Sequence, residues 1–347
     1  MEVLRNSIDI LAEKLTAIQY DGNPLYLKYG AKGREHTIQD NKYHLNYLLT
    51  SVTLENTQIF SDYIAWAKVF FKSIKLPDNM LEENLVLIKK VNSEHFDKDT
   101  ASQINSYIDS ALKNLNDLPY EVPSFIKPES KYSSLAAEYL NRLLRNERGE
   151  ASRLILREVG GDKSKLKDIY IYVFEVTQRE VGRLWQQNII SVAQEHYCTA
   201  VTQLIMSQLY PLIFEHERIG KKLIATSVSG ELHEIGIRMV SDFFEMEGWD
   251  TYFYGANTPV KDLVNAVKEK NPDLVAVSTT IPTNLDSAIT IINSIKSSSE
   301  NNGVKIMVGG YPFNKDIELW KKVGADCFAS DAESAVNVAG ELFNIKK

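Results

Sequence analysis

Apolar residues recur every three to four positions through the first two thirds of the chain, and the period then shortens. Met1–Ala17, Asp40–Leu54, Ile59–Ile74 and Ala101–Leu115 carry the helical repeat, and Gly22-Asn23-Pro24 stops the first of them. Leu118–Pro128 reads LPYEVPSFIKP, whose prolines favour an extended linker. From Ser133 to about Glu217 the helical period returns, interrupted at Arg148-Gly149, at Gly160-Gly161-Asp162 and near Gln187–Ser191. Ser191 followed by Gln194 has the form of a capping box, and four helices of this length make a bundle.

Beyond Lys221 short runs rich in Val, Ile and aromatics predict strands at Leu223–Val228, Thr251–Tyr254, Leu274–Thr279, Lys305–Gly309 and Cys327–Ala329. Amphipathic stretches lie between them: Ile235–Glu247, Pro259–Lys270, Leu285–Ser298, Asn314–Val323 and Glu333–Ile345. Strict strand–helix alternation implies a parallel sheet with helices on both faces. The expected class is α plus α/β: an N-terminal all-helical domain (1–125), a four-helix bundle (130–218) and a flavodoxin-like, Rossmann-like five-stranded parallel sheet (220–347).

Composition narrows the function. A length of 347 residues suits two or three domains. A net charge of −7 argues against a nucleic-acid surface, which needs a basic patch. No apolar run approaches the roughly 18 residues of a membrane span, and Met1–Leu15 is too charged for a signal peptide. Cys198 and Cys327 form no spacing motif, so a cytoplasmic protein without a disulfide framework is expected.

Candidate chemistry concentrates after the first strand, at Ser229-Gly230-Glu231-Leu232-His233-Glu234-Ile235-Gly236. This loop leaves the carboxyl end of a strand and opens a helix, where ligand loops of such sheets lie. It has no G-x-G-x-x-G turn, so it does not predict a dinucleotide site. A lone loop histidine is ordinarily a solvated side chain. Here Glu231 lies two residues away, and a carboxylate that takes one imidazole proton turns the other nitrogen toward a metal. Ser278 closes the third strand and Gly309-Gly310 the fourth, so three features converge on one crevice.

The loop resembles the cobalamin-binding signature D-x-H-x-x-G, followed by S-x-L and G-G, of methionine synthase, corrinoid methyltransferase proteins and base-off mutases. The resemblance implies a cobalamin whose cobalt is held by His233 from below. It also implies that Glu231 orients the histidine, that Ser229, Leu232 and Gly236 contact the cofactor, and that Ser278, Gly309 and Gly310 line the pocket of the nucleotide tail. Two positions depart from the pattern: Glu231 replaces aspartate and Thr280 replaces leucine. The longer Glu231 reaches the histidine directly or through water.

In the helical block, Trp185-Gln186-Gln187 followed by Glu195-His196 has the spacing W-x9-EH. Taken alone, this is a core tryptophan and an exposed acid–imidazole pair. Beside E-x-H-x-x-G, the spacing resembles the helical cap of the CarH-type cobalamin photoreceptors. That resemblance implies that Trp185, Glu195 and His196 cover the upper face of an adenosylcobalamin or another cobalamin form. Gln186 stands where that family places a second histidine, and the chain has acidic helices where the family has a winged-helix DNA-binding domain.

Aromatics also recur at helical spacing in the N-terminal third: Tyr43, Tyr47, Phe60, Tyr63, Trp66 and Phe70, with His44 among them. They make either an aromatic core between two helices or a pocket for a second planar ligand. The second arrangement resembles the stand-alone photocobilins, which bind biliverdin beside cobalamin. Together the resemblances imply a photosensory binding protein rather than an enzyme, signalling to an output protein, with a homodimer among the assemblies open to it. The competing reading is a corrinoid carrier of methyl groups, which shares the His233 loop. An isomerase would need a substrate barrel for which the chain has no room. A flavodoxin-like protein without cobalamin would use its helices only as structure.

Overall fold

A computed structural model describes residues 2–22, 24–214, 217–298 and 303–345. Asn23 of the first predicted break and the end of the second helical block at residues 215 and 216 lie outside these. The chain forms two compact units, Met1–Val122 and Pro123–Lys347.

The first unit is helical. Its main elements are α1 (Glu2–Gly22), α2 (Gly30–Thr53), α3 (Thr57–Ser73), α4 (Met80–His95) and α5 (Lys98–Asn114). Leu4, Ile8, Leu11 and Leu15 make one buried stripe on α1 because they fall three or four residues apart. Asn56 and Asp97 start α3 and α5 by accepting amide hydrogens of the first turn. α4 was not predicted: Asn84 and Asn92 occupy its buried face among Leu81, Leu85, Ile88 and Val91 and interrupt the apolar period. The unit closes on Lys68, whose Nζ donates to the carbonyls of Leu115 (2.6 Å), Asn116 (3.4 Å) and Leu118 (2.7 Å). The same ammonium sits 4.2 Å from the centre of the Tyr120 ring.

The second unit begins with a bundle: α6 (Ser133–Leu144), α7 (Arg148–Val159), α8 (Lys163–Ile169), α9 (Val176–Gln186) and α10 (Val192–Gln208). α8 and α9 are joined into one rod by a π turn, Tyr170–Glu175. Gly160, with φ of 56°, ends α7 in the left-handed region, and Asp162 caps α8. Ser191 and Gln194 form the reciprocal capping box of α10.

The strands that follow are β1 (Lys222–Ser227), β2 (Asp250–Gly255), β3 (Leu274–Ser278), β4 (Lys305–Gly309) and β5 (Cys327–Phe328). They pair in parallel in the order β2-β1-β3-β4-β5. The long connecting helices are α11 (Ile235–Met246), α12 (Val260–Lys270) and α13 (Leu285–Lys296), with α14 (Ala332–Leu342) after β5. The helix expected over Asn314–Val323 is instead two short pieces, Tyr311–Lys315 and Leu319–Lys322. Asp316 breaks it, accepting the amide of Glu318 at 3.0 Å in an extended conformation, so Ile317 points to solvent while Phe313 and Leu319 stay buried.

Strand register sets the site. Ser227 pairs with Ser278 and Ser278 with Gly309, so the carboxyl ends of β1, β3 and β4 stand in one row. β1 is followed in space by β2 on one side and β3 on the other, which opens a crevice at that row. Bundle and sheet share one continuous apolar core, from Tyr139, Tyr170 and Phe174 to Phe243, Phe244 and Trp249. Among the described residues no helix is long and apolar enough to cross a membrane.

Lys68→Met keeps the apolar stem but leaves the carbonyls of Leu115 and Leu118 without their donor. The N-terminal unit should lose about 2 kcal/mol, read as a lower urea midpoint for that unit; an unchanged midpoint contradicts this account of the clamp.

Candidate functional site

The loop after β1 turns at Ser229-Gly230, with Gly230 at φ of 85°, and delivers Glu231 and His233 to the crevice. Glu231 is fully buried, whereas the His233 side chain is 58% exposed. Glu231 Oε1 accepts from His233 at both Nδ1 (2.5 Å) and the backbone N–H (3.1 Å). Its other oxygen accepts the amides of Thr280 and Ile281, each at 2.9 Å, and Asn284 Nδ2 at 3.3 Å. Burial alone would raise this carboxyl. The hydrogen bonds from His233, Ile281 and Thr280 reverse that and bring it down to about 2. The same bond from Glu231 raises the His233 imidazole, against its partial burial.

These bonds fix the tautomer. Glu231 accepts the proton of Nδ1, and the ring's side-chain bond is made at that nitrogen, not at Nε2. The histidine thus presents one nitrogen to the open side of the crevice with its ring plane set by a buried carboxylate. The contact from the longer Glu231 is direct.

Two asparagines hold the loop and were not singled out from the sequence. Asn257, at φ of 54°, accepts the amide of Gly230 at 2.8 Å and donates its own amide to Glu231 O at 3.0 Å. Asn284 lies beneath the carboxylate as above. Ser227 Oγ donates to His233 O at 2.8 Å. The signal available for all three was position alone: each follows or closes a strand at the edge that carries the histidine.

The other candidate residues fall as follows. Leu232 is 77% exposed, and beyond its chain neighbours and its own helix backbone nothing lies within 4 Å of where a Cβ on Gly236 would sit. Ser229 is half-buried, and Ser278 is buried in the aligned row. Gly309 and Gly310 answer to the protein's own backbone. A Cβ on Gly309 would lie 2.9 Å from Ala329 O, and one on Gly310, at φ of 105°, would collide with Thr279 O. In the bundle Trp185 is half-buried against the shared core, while Glu195 accepts from Thr199 Oγ1 at 3.2 Å and pairs with the exposed His196 at Nδ1. The charge of Glu195 adds to the rise of the His233 imidazole.

The N-terminal stripe gives a different result from the pocket expected for biliverdin. Tyr47 and Tyr63 stack at 3.9 Å, Tyr63 OH bonds His44 Nδ1 at 2.9 Å, and His44, Phe60 and Tyr63 are all buried. Burial pushes the His44 imidazole down to about 4, so it is neutral in the fold. The aromatics fill the interior between α2 and α3 with one another. Tyr43 and Trp66 are exposed, Trp66 stacking on Phe70 at 5.3 Å.

The donor set suits a corrinoid: one preset imidazole nitrogen, an exposed apolar neighbour at Leu232, and open space at Gly236 at the sheet's switch point. Comparison with known proteins agrees. Residues 221–339 match a family model described as a B12 binding domain, and residues 135–210 match a second model of the same description. Dimethylamine corrinoid protein 2 of Methanosarcina acetivorans is 30% identical over 164 residues, 47% of this chain and 73% of that one. Dimethylamine corrinoid protein 1 of Methanosarcina mazei gives the same identity and coverage. Trimethylamine corrinoid protein 1 of Methanosarcina acetivorans is 27% identical over 46% of this chain and 72% of its own. The solved monomethylamine corrinoid protein of Methanosarcina barkeri shares the fold, with a TM-score of 0.53 at 19% identity, over 61% of this chain and all of that one.

These relatives overturn the photoreceptor reading. The similarity runs to corrinoid proteins named for methylamines, so the CarH-type and photocobilin resemblances, the light-sensing role with its output partner and the second chromophore, biliverdin, are set aside. The W-x9-EH spacing lies inside the bundle that the second B12-binding model covers, and it marks that bundle rather than a light response. The chain belongs to the family of B12-binding corrinoid proteins that includes the methanogen dimethylamine corrinoid proteins.

Proposed function

We propose that the chain is a corrinoid carrier of methyl groups in a methyltransferase system, with His233 as the lower ligand of cobalt. The Glu231–His233 pair carries this reading: a fully buried carboxylate fixes Nδ1 at 2.5 Å and frees Nε2 at the switch point of the sheet. A corrinoid bound there supplies a cobalt centre that accepts a methyl group from one partner and gives it to another. The chain's own residues hold it. His233 ligates through Nε2, which must be free of its proton to do so, and Glu231 keeps the other nitrogen protonated. Leu232, Ser229 and Gly236 would hold the ring, and Ser278, Gly309 and Gly310 would hold the nucleotide tail. Trp185, Glu195 and His196, on the bundle, would be the residues that shield the bound group from water.

A carrier's upper face must accept exchange, so the bound form is a cobalamin with a replaceable upper ligand rather than a fixed adenosyl group. The relatives' names, dimethylamine and trimethylamine corrinoid proteins, point to methylated amines as the source of the methyl group and to methyltransferases as partners. The net charge of −7 gives such partners an acidic surface to meet.

Glu231→Gln tests the tautomer. Gln can keep the amides of Thr280 and Ile281 only by turning its carbonyl to them, which points its NH2 at Nδ1. Nδ1 then accepts, the proton moves to Nε2, and ligation is lost. Cobalamin affinity should fall by about 10–100-fold in a spectroscopic titration; wild-type affinity would show that Glu231 does not set the histidine.

The carrier role is read by label transfer. With reduced, cobalamin-loaded chain, a methylamine methyltransferase and isotopically labelled methylamine, label should travel with the chain through gel filtration and leave it when an acceptor thiol and its transferase are added. His233→Ala should hold at least about tenfold less label. No retained label with a transferase competent on its own corrinoid protein would contradict the proposal.

A further inference from the structure

The bundle is tied to the sheet domain along one side of α11, the helix that begins two residues after His233. Glu234, Arg238 and Asp242 stand one turn apart, and each meets a bundle residue. Gln203 Nε2 donates to Glu234 Oε1 at 2.7 Å. Arg238 Nη2 donates to Ser207 Oγ at 2.7 Å and to Tyr210 OH at 3.2 Å. Tyr170 OH donates to Asp242 Oδ2 at 2.8 Å with both residues buried. Beyond them Lys167 pairs with Glu247. Tyr170 opens the π turn, which departs from α-helical spacing where the bundle meets Asp242. At the other end of the bundle, among the described residues, Glu195 and His196 bond each other and Thr199 but nothing on the histidine loop. The bonds between the bundle and α11 run from Gln203–Glu234, beside His233, to Lys167–Glu247.

We infer that the buried Tyr170–Asp242 pair is a positioning latch that sets how the bundle sits over the histidine loop, with α11 as the rigid element joining the two. The inference rests on the corrinoid reading for its purpose, since a carrier must cover its cofactor and also open it to partners.

Removing the Tyr170 hydroxyl takes away the buried bond of this row and loosens the seat of the bundle on α11. Burial also pushes the Asp242 carboxyl up to about 7, against hydrogen bonds from Tyr170 and Tyr210 and the charge of Arg238, with Glu245 adding to the rise. These are the titratable and charged groups that face it from α11, the π turn and the segment after α10. A carboxyl raised in the latched form favours latching at low pH. That contribution is lost as pH climbs from the ordinary carboxylate range, near 3.8, to about 7.

Amide hydrogen exchange on the full chain without corrinoid, corrected for the intrinsic rate, tests the latch at residues 183–199. Wild type should lose protection between pH 4 and 7, and Asp242→Asn should remove that dependence. Tyr170→Phe, which keeps the ring contacts to Phe174 and Phe243, should exchange on the order of tenfold faster. In the cobalamin-loaded chain, cyanide should replace the upper ligand faster by a similar factor. Wild-type exchange in Tyr170→Phe overturns the latch; if that variant does not fold, a pH profile in Asp242→Asn equal to wild type does so. Because exchange is read without corrinoid, a chain that fails to bind cobalamin would count against the proposed function and not against the latch.

Discussion

A carboxylate with no exposure to water, Glu231, is the constraint on which the site depends. A buried charge is costly unless its lone pairs are satisfied. Here they are met by an imidazole, by two consecutive amides of the turn after β3, and by Asn284. Each of these partners is also a structural tie. The amides bind the β1 loop to the β3 loop across the switch point, and the imidazole bond turns one nitrogen outward. The interaction that solves the carboxylate's burial therefore also sets the imidazole.

The sheet makes this affordable in space. Parallel pairing aligns Ser227, Ser278 and Gly309, so three loops start level with one another. Gly310 lets β4 turn away beneath Thr279 O, where any side chain would collide. Asn257, in the left-handed region, closes the other side against Gly230 and Glu231. A histidine on a free loop would sample many orientations; this one is held at Nδ1 by Glu231, on a loop tied down by Asn257 and Asn284.

Much of this was legible in the sequence because it depends on local period and on position relative to strand ends. Alternation of strand and helix beyond Lys221, the E-x-H spacing and the Gly309-Gly310 pair all sit in contiguous residues. What was not legible depends on distant partners. Asn284 and Asn257 are ordinary loop residues until the register brings them to Glu231. α4 was hidden because Asn84 and Asn92 interrupt its core face, satisfied by bonds such as that of Asn92 to Asn105 at 3.2 Å. The aromatic stripe from Tyr43 to Phe70 has the same composition whether it lines a pocket or fills one, and only the stacking of Tyr47 on Tyr63 separates the two. The W-x9-EH spacing likewise falls in the bundle that the second B12-binding model covers, and the spacing alone does not carry the chemistry done there.

The central claim is that His233, oriented by Glu231, is the protein ligand of cobalt. It is tested most directly by EPR of the reduced, paramagnetic cobalt form bound to chain grown with nitrogen-15 histidine. The account predicts a splitting from one axial nitrogen that changes with the isotope and disappears in His233→Ala. A splitting that ignores the label, or that survives in His233→Ala, would contradict it.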